Sequence, residues 1–125
     1  PGKSLKVRAK AVKDLVLKMK SNYQKRAEQA YTIHAEIERS PYPVLVCGDF
    51  NDTPASYTYH RTREGLVDGF RDCGSGYQYT FRQLYKLWRI DYVFYSESLK
   101  GQDCFSPDVS YSDHNMVVWR GCVKN

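Results

Sequence analysis

The sequence predicts an α/β or α+β domain: one mixed sheet with helices packed beside it. Two observations lead there. Apolar residues recur at helical spacing through the first forty positions, and short β-branched or aromatic runs follow from residue 44 onward. The resulting order of helix, strand, helix and then several strands is that of a mixed layered fold.

The helical lead-in is carried by Leu5, Val12, Leu15, Val16 and Met19, then by Tyr23, Ala27, Ala30, Tyr31, His34 and Ile37. Ser21-Asn22 either caps a second helix or interrupts one long helix. Ser40-Pro41 ends the helical region, because a residue before proline avoids the α conformation. Val44-Leu45-Val46-Cys47 reads as a buried strand that stops at Gly48, with Cys47 as core packing. Thr53-Pro54 has the pattern of a cap followed by proline in a first turn, opening a short helix from Tyr57 to Glu64.

Glycines 65, 69, 74 and 76 mark a loop-rich stretch. Strands are expected at Tyr77 to Phe81, at Ile90 to Tyr95 and at Asn115 to Val123. No apolar run is long enough to cross a bilayer, and Pro1-Gly2-Lys3-Ser4 opens no signal peptide.

The formal charge of +5 is uneven. Residues 1–20 hold seven basic side chains against Asp14, whereas the remainder holds twelve basic and thirteen acidic ones. A basic helix of this kind is either a solvated face or an attractor of polyanions. Cysteines 47, 73, 104 and 122 form no C-x-x-C pair, so a zinc site is not expected. Cys104 and Cys122 flank late segments and are candidates to pair under oxidising conditions.

Three short clusters fall at the ends of expected strands. In Gly48-Asp49-Phe50-Asn51 the acid and amide project where open sheets place their sites; an Asx turn explains the same residues. In Arg89-Ile90-Asp91-Tyr92 a carboxylate sits inside an apolar strand and needs a partner, either an imidazole or Arg89. In Ser112-Asp113-His114-Asn115 a histidine suited to proton transfer stands beside a possible metal-binding carboxylate. Each cluster also fits a structural role. His34 reads as packing or surface, while His60 is a weaker candidate for a substrate groove. The eleven tyrosines are spread over helices and strands, which favours packing over base stacking.

Taken in order, Gly48-Asp49-Phe50-Asn51, Arg89-Ile90-Asp91-Tyr92 and Ser112-Asp113-His114 closely resemble the endonuclease/exonuclease/phosphatase superfamily. Pro41-Tyr42-Pro43 before the first motif and Tyr79-Thr80-Phe81 before the second strengthen the likeness, which spans residues 20–125. The superfamily includes abasic-site endonucleases, deoxyribonuclease I, neutral sphingomyelinases and inositol polyphosphate 5-phosphatases, and the closest likeness is to Bacteroides-type members.

The resemblance implies half of a four-layer α/β/β/α sandwich: one mixed, mostly antiparallel sheet with helices on one face. Residues 1–125 would form the C-terminal portion of the domain, with 1–40 as helical lead-in and 41–125 as the sheet carrying the motifs. It further implies a metal-dependent phosphoesterase, acting on phosphodiesters or phosphomonoesters with Mg²⁺ or Mn²⁺. Asp49 would orient or deprotonate water, Asn51 would hold a phosphate oxygen or the water, and His114 would contact the scissile phosphate. Asp91 would orient His114, and Asp113 would join Asp49 on the metal side. The substrate would be a phosphate ester, nucleic acid among the possibilities. The partner would be the absent N-terminal half or a second copy, since a half-sandwich would leave an apolar face uncovered, with Ile90, Val93, Val117 and Trp119 as candidates for that face or its reverse. The alternative is a non-catalytic half-domain that binds polyanions through its basic helix.

Overall fold

Forty residues of helical periodicity become one uninterrupted helix, α1 (Gly2–Arg39), in a computed structural model. The structure describes residues 2–83 and 88–125, with the side chains of residues 2–5, 8, 15 and 19 left out. The expected apolar positions Leu5, Leu15 and Met19 therefore lie outside the described side chains. Ser21-Asn22 neither caps nor breaks the helix.

Among the described side chains, those at the C-terminal part of α1 reach the core, through Ala30, His34 and Ile37. His34 is buried, with Nε2 3.3 Å from Glu38 of the next turn. Further back Val7, Val12, Val16 and Leu17 stand in solvent. Ser40 then closes the helix: its N–H donates to the Ile37 carbonyl at 3.2 Å, and its hydroxyl accepts from the Tyr42 N–H at 3.2 Å.

β1 (Leu45–Asp49) follows and carries the strand two residues past its apolar run. α2 (Tyr57–Arg63) starts later than Thr53-Pro54 suggested. Its cap is Ser56, whose hydroxyl accepts from the Tyr59 N–H at 3.1 Å. Thr53 instead offers its carbonyl to the Ser56 N–H.

The glycine-punctuated stretch is more ordered than its composition implies. It holds β2 (Val67–Asp68) and α3 (Gly69–Cys73), and Asp68 caps α3 by accepting from the Phe70 and Arg71 N–H groups. Tyr77 to Phe81 forms no strand, only isolated bridges at Phe81. β3 (Asp91–Tyr95), β4 (Leu99–Phe105) and β5 (Val118–Val123) complete the chain. β4 had no counterpart among the expected strands, because Gly101 and Asp103 break its pattern.

Every named ladder is antiparallel. β1, β3 and β2 form one sheet in that order, and β4 pairs with β5 in a second. Val46, Phe94 and Tyr92 share the face turned toward the helices, where they meet Tyr59, Leu66, Ile37 and Phe50. Phe94 is fully buried among these rings, and its truncation to alanine would cost about 3–5 kcal/mol.

The opposite face corrects the expectation that the first strand is buried. Cys47 is exposed rather than buried, and Leu45 is 48% exposed, because β1 is an edge strand with neighbours on one side only. Ile90 and Val93, candidates for the bare face or its reverse, are buried. The four thiols are free: Cys104 lies opposite Trp119, while Cys122 lies opposite Lys100. Burial pushes the Cys104 thiol up to about 12, where it stays protonated. No helix of the described residues is long and apolar enough to cross a membrane.

Candidate active site

Asp49 ends β1 and Asp91 begins β3, and the ladder register sets them directly opposite one another. Cross-strand partners share a face, so both carboxylates leave the sheet on the same side. His114 arrives from the long segment between β4 and β5. That segment is fastened by the Arg82 N–H donating to the Asp113 carbonyl at 2.8 Å and by a backbone bridge between Phe81 and His114. Phe81 also packs its ring edgewise on the imidazole.

The imidazole lies between the two acids. Nδ1 is 2.8 Å from Asp91 Oδ2, and Nε2 is 3.8 Å from Asp49 Oδ2. An ionised carboxylate only accepts, so Nδ1 carries its proton toward Asp91 and Nε2 is the nitrogen turned to Asp49. Burial works against the charged ring. The hydrogen bond and charge of Asp91 outweigh it, with Asp49 and Asp113 adding to them, so His114 titrates above the ordinary histidine range.

Asp49 divides its two oxygens. Oδ1 accepts from the Asn51 N–H at 2.8 Å, which is the Asx turn that composition allowed. Oδ2 is left to face His114. The turn accounts for one oxygen of Asp49 and leaves the other turned toward His114. Asn51 sits at φ 50°, a left-handed conformation that asparagine tolerates, and its side chain is exposed.

Asp113 is exposed beside His114 and acts on it through charge. One ligand atom each from Asp49, Asp91 and His114 lie within 4.8 Å of one another, and Asp113 is not in that set. The carboxylate oxygens of this set suit a hard divalent cation, whereas the imidazole is a donor better matched to softer metals and is already engaged with Asp91. The cluster opens on a groove of about 430 Å³ whose walls include Cys47, Val93, Tyr111 and Met116. His60 is exposed on α2 and does not line that groove.

The second motif distributes its charges in a way its sequence does not reveal. Arg89 turns away from Asp91 and binds Asp68 with both ends of its guanidinium, at 2.9 Å each. Asp68 also accepts from the Tyr59 hydroxyl at 2.6 Å and is almost completely buried. The Tyr92 hydroxyl, 2.7 Å from the Asp52 carbonyl and 2.6 Å from that of Arg89, ties the two motif loops together. Sequence reasoning missed Asp68, for which only a polar residue after a single valine stood as a signal. It also missed what Thr80 does, although the Tyr79-Thr80-Phe81 triplet stood out.

The model of the Endonuclease/Exonuclease/phosphatase family matches residues 20–114. No curated protein matches. Among solved structures, an endonuclease/exonuclease/phosphatase from Bacteroides vulgatus is 26% identical, with a TM-score of 0.71 over 81% of this chain and 45% of that one. A mannosyl-6-phosphatase of Bacteroides thetaiotaomicron VPI-5482 is 20% identical, with a TM-score of 0.68 over 79% and 46%. A functionally unknown conserved protein from Enterococcus faecalis V583 is 21% identical, with a TM-score of 0.72 over 82% and 46%. The chain thus spans less than half the length of each of these solved chains.

Proposed function

This chain belongs to the Endonuclease/Exonuclease/phosphatase family, and we propose that Asp49, Asp91 and His114 hydrolyse a phosphate ester by in-line attack of water. One observation carries the reading: a single imidazole is held by one carboxylate at 2.8 Å while its other nitrogen faces a second carboxylate at 3.8 Å.

In this reading Asp49 Oδ2 orients the water and takes its proton as the new oxygen–phosphorus bond forms. His114 donates from Nε2 to a phosphate oxygen on which charge accumulates as the bond to the leaving group breaks. Asp91 fixes the ring and favours its charged form. Asn51 holds a phosphate oxygen or the attacking water. Asp49 would hold a Mg²⁺ or Mn²⁺ ion, with Asp113, which lies outside the 4.8 Å cluster, as the further acid on the metal side; the ion's charge would offset the repulsion between phosphate and nucleophile. The groups that complete the site come from protein beyond these residues or from a second copy.

A second reading rests on α1, where Lys6, Lys13 and Lys20 are exposed at seven-residue spacing. It makes the chain a polyanion-binding module whose affinity falls steeply with salt and ignores His114. The functional test is a panel of phosphomonoesters and phosphodiesters assayed with Mg²⁺ and with EDTA. Turnover of either ester class only with metal supports the proposal. Salt-sensitive polyanion binding without turnover of any ester supports the second reading.

A further inference from the structure

We infer that Thr80 is the positioning residue of the Asp91–His114 pair, because among the described residues it alone is hydrogen-bonded to the backbone on both sides of that contact. The catalytic meaning of this inference rests on the proposed function; the geometry does not.

Thr80 is fully buried. Its Oγ1 accepts from the Ile90 N–H at 3.0 Å and from the Asp91 N–H at 3.1 Å. Its carbonyl accepts from the Asn115 N–H at 2.7 Å. One residue thereby holds the start of β3 through its side chain and the residue after His114 through its main chain.

The arrangement answers a gap in the sheet. β2 is two residues long, and its partners on β3 are Tyr95 and Phe94. The amides of Ile90 and Asp91 lie beyond the reach of that ladder, and a buried amide without an acceptor is costly. The threonine hydroxyl takes both. A strand residue with an aliphatic side chain would fill the same space and leave two buried donors unpaired.

The other end is equally fixed. Asn115 is buried, its Oδ1 accepting from the Val109 N–H at 3.2 Å while Nδ2 donates to Asp108 Oδ1 at 3.1 Å. With Asn115 anchored, and Phe81 packed on the ring next to Thr80, His114 has little freedom to swing away from Asp91. A contact of this kind demands placement to within about 0.5 Å, which a loop achieves only when its backbone is tied down.

The test compares Thr80→Val, which keeps the shape and removes the acceptor, with Thr80→Ser, which keeps the acceptor. The readout is the Nδ1 proton resonance of His114 in the full chain by ¹H–¹⁵N NMR. The wild type and Thr80→Ser are expected to show a hydrogen-bonded, downfield Nδ1 proton. In Thr80→Val that signal is expected to broaden away while the resonances of Tyr59 and Phe94 stay in place. A Thr80→Val protein with the core intact and an unchanged His114 signal overturns the inference, as does a Thr80→Ser protein that loses it. If Thr80→Val does not fold, amide exchange in the wild type decides: Asp91 and Asn115 should be protected to a similar degree, and free exchange at one of them alone overturns the inference. None of these readouts involves ester turnover, so a failure of the hydrolytic reading leaves a different signature.

Discussion

Arg89 binds Asp68 through two parallel hydrogen bonds at 2.9 Å, although Asp91 lies only two residues along the same segment. That choice of partner leaves the Asp91 carboxylate to the His114 imidazole. Replacing the guanidinium strands a buried carboxylate, and removing one partner of such a pair costs about 3–5 kcal/mol. Arg89→Met is expected to lose stability on that scale in urea unfolding. A loss below about 1 kcal/mol would show that Asp68 does not depend on Arg89.

The same pair sets a pH dependence. Burial alone would raise the Asp68 carboxyl, but its hydrogen bonds to Arg89 and Tyr59 outweigh burial and hold it below its ordinary value of 3.8. A depressed native value stabilises the fold above the unfolded value, and that contribution fades as pH falls through the native one. In Arg89→Met burial is opposed only by the Tyr59 hydroxyl and the Phe70 and Arg71 amides, so the native value moves up toward or past the unfolded one and the acid loss shrinks. The stability gap between wild type and Arg89→Met should therefore narrow as pH is lowered below roughly 4. A gap that stays constant from neutrality to acid would contradict this.

Asp91→Asn keeps the size of the side chain and removes the charge that holds His114. In whichever assembly shows ester turnover, this variant should lose about 10–100-fold, the usual cost of disturbing a group that orients another. Its fold should be retained, since Asp91 makes no buried ion pair beyond His114 among the described residues. Equal turnover in Asp91→Asn and wild type would remove Asp91 from the site.

Among the described residues β1 has an unpaired edge, and Leu45 and Cys47 stand bare on one of its faces. Exposed edges with apolar flanks recruit further strands. At micromolar concentration the chain is expected to scatter light as more than a single copy, and Leu45→Lys should reduce that association. A wild-type monomer that stays monodisperse would contradict the need for a complement.

Much of the site was legible because chemistry fixes residue type and order. Asp49, Asp91 and His114 are spread over a stretch of 66 residues, yet each marks a strand end or the segment before a strand, where the fold brings them together. What was not legible depends on neighbours rather than on the residues themselves. Cys47 has the sequence of a buried strand residue, but burial needs a partner surface that β1 lacks on that side. Arg89 could reach either Asp68 or Asp91, and only the closed fold decides. Thr80 looks like any polar residue in an aromatic stretch until the shortness of β2 leaves two amides for it to satisfy. β4 was hidden by Gly101 and Asp103, whose intrinsic preference is against strand and whose pairing with β5 overrides it.

The central claim is that His114 belongs to a working phosphate-ester site. The most direct measurement compares wild type and His114→Ala in hydrolysis of a chromogenic phosphodiester and its matching monoester, with Mg²⁺ and with EDTA. Metal-dependent turnover that His114→Ala lowers by at least about a hundredfold is expected. Turnover that persists in His114→Ala, or that is indifferent to EDTA, would contradict it.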